Sequence, residues 1–89
     1  MSVLTSDSKE AIRRGIRTAY KRRDLHRGQA HLKRQEIIRV ACGPDIPNKD
    51  EAISRLLLLF TDYTRFAEAA DREIWRLQTL LKEEYIPLD

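Results

Sequence analysis

The 89 residues carry 17 Lys/Arg against 14 Asp/Glu, a net charge of +3, and 42% of them are hydrophobic. That length allows one small domain, residues 1–89, with a modest core, and the hydrophobic share excludes a wholly disordered chain. The lone cysteine, Cys42, excludes an internal disulfide and suits a reducing compartment. The longest apolar run, Leu56 to Phe60, is far too short to span a bilayer, and Met1 to Lys9 has no apolar leader, so a cytoplasmic protein without a membrane partner is expected.

The charge is unevenly spread. Residues 1–42 hold eleven Lys/Arg and four Asp/Glu, and residues 43–89 hold six and ten, so the halves carry +7 and −4. Such a split points to a polyanionic partner, to two segments that attract one another, or to both.

In chain order, residues 1–6 are expected to fray. Asp7, with Glu10 three residues on, has the form of a helix start. The helical pattern runs to Cys42. Gly43 then stands where a left-handed capping residue belongs, and Pro44 cannot continue a helix. Within this first arm Ile12, Ile16, Ala19, Tyr20, Ala30, Ile37, Ile38 and Ala41 share one broad face, which Arg23, His26 and Arg34 interrupt. Leu25 and Leu32 fall nearly opposite, with Gly28 between them. Two arrangements fit. Either the arm is continuous and Leu25 and Leu32 form a second contact patch, or it kinks or breaks near residues 24–28, where a mid-helix glycine costs about 1 kcal/mol relative to alanine.

Residues 43–47 read as the loop between helices. Asn48 followed by Glu51 repeats the start signal, and the second helix is expected to run to about Glu84, with residues 86–89 frayed. Ile53, Phe60, Ala67, Ile74 and Leu81 lie seven apart, and Leu56, Tyr63, Ala70 and Leu77 follow the first four by three residues. These are the a and d positions of a helix packed lengthwise on another. Ala52, Leu59, Phe66 and Leu80 widen the stripe on one side and Leu57 on the other, which is more than one neighbouring helix covers. The fold class expected is therefore all-α: a long antiparallel helical hairpin that dimerises into a four-helix bundle. Leu59, Phe60, Tyr63, Phe66, Ile74, Leu77 and Leu80 are the candidate interface, with Tyr63 and Phe66 also suited to the core. A broken first arm closing over the stripe as a three-helix monomer is the alternative.

Arg13, Arg17 and Lys21 recur at four-residue spacing with Arg14 beside them, on the side away from Ile12, Ile16 and Ala19. A basic face of this kind binds RNA or DNA phosphates by releasing counterions. Its bland counterpart is a solvated face neutralised by the second arm. With the loop centred near residue 45, that arrangement sets Arg17 against Glu73 and Arg22 against Glu68. The favoured reading is a small non-enzymatic regulator that contacts nucleic acid. The alternative is a protein-binding adaptor or inhibitor of the phage or mobile-element type, using Leu25, Leu32, Leu58 and Trp75 as a binding surface. His26 and His31, five apart, face different ways, and neither they nor Cys42 have metal-ligand spacing. The carboxylate pairs Asp50-Glu51 and Glu83-Glu84 lie at helix ends, and Gly15, Gly28 and Gly43 are too far apart for a phosphate loop. No catalytic residue, cofactor or metal is assigned.

Overall fold

A computed structural model describes residues 5–85. Two helices of 37 residues each, α1 (Ser6–Cys42) and α2 (Lys49–Tyr85), pack lengthwise as an antiparallel hairpin. The molecule measures 67 × 21 × 14 Å, with a radius of gyration of 19.9 Å. A compact globule of this length would have a radius of roughly 12 Å, so the chain is a rod. Of the frayed ends expected at residues 1–6 and 86–89, residues 1–4 and 86–89 lie outside the described residues, while Thr5 and Ser6 are not frayed but cap and open α1.

α1 opens at Thr5, whose hydroxyl accepts a hydrogen bond from the Ser8 backbone N–H at 3.1 Å. The cap is thus Thr5 rather than Asp7, which instead sits in the first turn, where an acid favours the helix dipole. The helix continues unbroken through residues 24–28, so the first arm is one helix and the three-helix monomer does not form. At its far end Gly43 is extended, with φ −81° and ψ −176°, not left-handed. The reason is Pro44, which confines the preceding residue to extended backbone. The Gly43 N–H still satisfies the Val40 carbonyl at 3.2 Å. In the loop, Lys49 Nζ donates to the Gly43 carbonyl at 3.0 Å, tying the start of α2 to the end of α1.

The a/d spacing expected of α2 matches its burial: Ala67, Ala70 and Ile74 are buried, and Ile53, Leu56, Phe60, Tyr63, Leu77 and Leu81 are half-buried. α1 presents a matching row of alternating four- and three-residue steps. Its a positions are Ile16, Arg23, Ala30 and Ile37, and its d positions are Ile12, Ala19, His26, Lys33 and Val40, all buried or half-buried. Arg23 and His26 do not interrupt the packed face of α1; they are part of it. Ile38, Ala41 and Arg34, by contrast, are exposed. Alanines Ala19, Ala30, Ala67 and Ala70 occupy the middle of the seam and let the two arms approach closely, while the larger aliphatic side chains fill the ends.

Candidate functional site

Around each helix the a/d seam divides the surface into two sides: positions e and b on one flank, and g and c on the other. The cross-arm contacts confirm how these sides meet. On the e side Gln78 Nε2 donates to the Tyr20 hydroxyl at 3.2 Å, and Arg27 Nη2 donates to Asp71 Oδ2 at 3.0 Å. Arg23 reaches from the seam to the other oxygen of Asp71 at 3.3 Å and lies 4.6 Å from the centre of the Tyr20 ring. Burial works to lower the Arg23 pKa, but the hydrogen bonds to Asp71 and then Asp24 outweigh it and hold the guanidinium above its ordinary value. On the g side the contact is between rings: His26 and Phe66 have centroids 5.3 Å apart, and His26 Nδ1 lies 2.9 Å from Gln29 Oε1.

The basic quartet sits on the e side and the outer surface of α1. Arg13 occupies an e position, Arg17 a b position, and Arg14 and Lys21 the outermost f positions; all four are exposed. Arg17 pairs with Glu10 at 3.0 Å, and Arg13 approaches the same carboxylate at 3.9 Å. Arg14 and Lys21 hold no acid among the described residues. Glu73 pairs with Arg76 on its own helix at 2.7 Å, so the pairing of Arg17 with Glu73 does not occur. Nor does that of Arg22 with Glu68. The heptad explains both: Arg17 and Glu68 belong to the e/b side, and Glu73 and Arg22 to the g side, with the seam between them. The second arm therefore neutralises Arg23 and Arg27 through Asp71, and leaves the quartet with a single acid, Glu10.

The candidate interface divides in two. Ile74 is buried in the seam, and Phe60, Tyr63 and Leu77 line it against α1. Leu59, Phe66 and Leu80, all at g, remain 40%, 52% and 43% exposed, so Phe66 is not the core residue its sequence context suggested. Leu25 and Leu32, at c of α1, are 59% and 57% exposed on that same side. Leu58 and Trp75 are the most exposed large hydrophobic side chains among the described residues, at 68% and 69%. Leu58 is at an outermost f position, and Trp75 is at b, on the side of the quartet. Sequence reading did not connect Tyr20, Gln78 and Lys82 with that side. Their e and b positions give the connection once the register of α1 is known.

Cys42 is exposed at the end of α1. His26 and His31 face opposite sides of the hairpin, His26 beside Phe66 and His31 in a cleft with Arg27, Arg34 and Glu68. Among the described residues no helix is long and apolar enough to cross a membrane. No protein-family model, curated protein or solved structure matches the chain.

Proposed function

We propose that the protein is a non-enzymatic nucleic-acid-binding regulator whose basic face on the e side and outer row of α1, carrying Arg13, Arg14, Arg17 and Lys21, neutralises phosphates. The observation that carries this reading is the isolation of the quartet: four cations share one carboxylate, while the neighbouring Arg23 and Arg27 are neutralised by Asp71. Four cations against one carboxylate along about two helical turns set up a field that attracts a polyanion.

The reading includes a homodimer formed through the g side. Leu25, Leu32, Leu59, Phe66 and Leu80 lie there without cover, on the flank opposite the quartet. A second copy seated on this side completes the four-helix bundle and leaves both basic faces outward.

Salt dependence tests the nucleic-acid reading. Each phosphate neutralised contributes about −0.7 to the log–log salt slope on a single strand, so four contacts give about −3 per copy. Reversing Arg14 and Lys21 to glutamate is expected to flatten that slope by between about 1 and 2 and to weaken binding at low salt. Binding that ignores salt, or no retention of RNA or DNA at low salt, refutes the reading. The exposure of Leu58 and Trp75 favours the adaptor alternative as the second reading. One stoichiometric protein partner surviving nuclease treatment would distinguish it.

A further inference from the structure

Trp75 is the only tryptophan in the chain, and it is 69% exposed. Its place in the heptad is at b of α2, next to the e positions Asp71 and Gln78, which bond across to Arg27 and Tyr20. Those two bonds fix the register: Trp75 stands on the same side of the hairpin as Arg17, at the level of the Tyr20–Arg23 turn of α1. Arg13 and Arg17, at e and b of α1, face this side together with the indole, whereas Arg14 and Lys21, on the outermost row of α1, face away from α2. Lys82, one heptad beyond Trp75, and Arg72, on the outermost row, add cations that hold no acid among the described residues. The acids of this side are mostly engaged: Glu10 by Arg13 and Arg17, Asp24 by Arg23, and Asp71 by Arg23 and Arg27. Glu68 lies farther along, in the cleft with Arg27, His31 and Arg34.

Tyr20 is not the free aromatic here, because its hydroxyl is bonded by Gln78 and Arg23 lies over its ring. Trp75 is. A solvent-facing indole flanked by Arg72 and Lys82, which hold no acid among the described residues, matches what an unpaired base and its neighbouring phosphates require: a flat apolar face for stacking and positive charge beside it. Duplex bases are already stacked on one another and offer the indole nothing. We propose that the Trp75 indole is a stacking platform for an unpaired base, with Arg13, Arg17 and Lys82 holding the adjacent phosphates, so that the protein binds single-stranded nucleic acid. This inference rests on the nucleic-acid reading above and narrows it to a substrate class.

The lone indole is also the reporter. The full chain is titrated with oligouridylate, oligodeoxythymidylate, a duplex of equal length and inorganic polyphosphate. Tryptophan fluorescence reports stacking, and anisotropy of an end-labelled oligonucleotide reports binding. The expected result is quenching by the two single strands and none by polyphosphate, which has charge but no bases. The uridylate and deoxythymidylate arms rank RNA against DNA. Trp75→Ala is expected to weaken single-strand binding roughly 5- to 150-fold, the usual span for removing one stacking aromatic, to leave duplex and polyphosphate binding unchanged, and to be largely rescued by Trp75→Phe. Single strands that bind without quenching, with an unchanged affinity for Trp75→Ala, overturn the stacking platform and leave the electrostatic reading standing. No binding to any nucleic acid at low salt overturns both.

Discussion

Replacing Phe66 by glutamate tests whether a second copy covers the g side. Leu25, Leu32, Leu59, Phe66 and Leu80 are each close to half exposed in the single chain. Full burial of such a side chain contributes about 1.5–3 kcal/mol. Half burial of five side chains from each of two copies therefore contributes on the order of 8–15 kcal/mol, against an association cost of about 4–15 kcal/mol. The two terms are so close that single side chains decide the outcome. Phe66→Glu removes about 1 kcal/mol of burial per copy and sets an unpaired carboxylate into the interface at a further penalty of about 1–3 kcal/mol. Over two copies the loss is at least about 4 kcal/mol, a thousandfold or more in dissociation constant. Light scattering on a dilution series reads this directly. Wild type should have twice the single-chain mass of 10.5 kDa, and Phe66→Glu should have the single-chain mass with its helicity intact. Leu58→Glu, on the outermost face of α2, should leave the dimer unchanged. A wild type that stays at the single-chain mass at every concentration refutes the argument, and so does a Phe66→Glu variant that keeps the doubled mass.

Two further substitutions probe the hairpin itself. A Cβ at Gly28 meets nothing within 4 Å, so Gly28→Ala is expected to stabilise α1 by about 1 kcal/mol, a rise in melting temperature of roughly 4–8 °C; a lower melting temperature would mean that α1 is not helical there. Ile74, 5% exposed, is the largest side chain in the buried part of the seam, and Ile74→Ala is expected to lose about 2–5 kcal/mol in urea unfolding. Leu58→Ala, removing an exposed side chain, should change stability by no more than about 0.5 kcal/mol, and equal losses for the two variants would contradict the heptad register.

The second arm was readable because every a and d position from Ile53 to Leu81 is apolar, so spacing and chemistry coincide. In α1 they part company. Arg23, His26 and Lys33 occupy a and d positions, and a search for apolar periodicity passes over them. Their stems line the seam while their polar ends reach outward, Arg23 to Asp71, His26 to Gln29 and Lys33 to Glu36 at 3.2 Å. The partner that makes Arg23 acceptable there, Asp71, lies 48 residues away, and no local pattern announces it. The start of α1 was ambiguous for a different reason. Thr5, Ser6, Asp7 and Ser8 are all good capping residues, and local propensity does not choose among them; the Thr5–Ser8 bond does. Gly28 suggested a break, yet about 1 kcal/mol is too little to interrupt a helix packed along its whole length. The basic quartet was visible as spacing alone, but its isolation from the acids of α2 needed the register. A loop-centred estimate paired Arg17 with Glu73 across the seam, where side chains on opposite flanks do not meet.

The two flanks of the hairpin are built to different rules, and the difference bears on function. Away from the loop, the side-chain bonds described between the arms lie on the e side: Tyr20 with Gln78, and Arg23 and Arg27 with Asp71. Polar links of this kind tolerate water, and that flank carries Arg13, Arg17, Lys82 and the bare indole. The g side holds the arms together by ring and aliphatic contact, with Phe66 against His26 and leucines left half open. Apolar contact of that sort gains from exclusion of water, and this flank leaves five large apolar side chains open to a lid, against Leu57, Ile38 and Trp75 on the other. A second copy placed there leaves both e sides free, back to back, and the charge presented to a polyanion doubles without bringing like charges together. The reverse arrangement, a dimer through the e side, would bury Arg13, Arg17 and Lys82 of two copies against each other, and desolvating that many like charges is far more costly than leaving five side chains per copy half exposed.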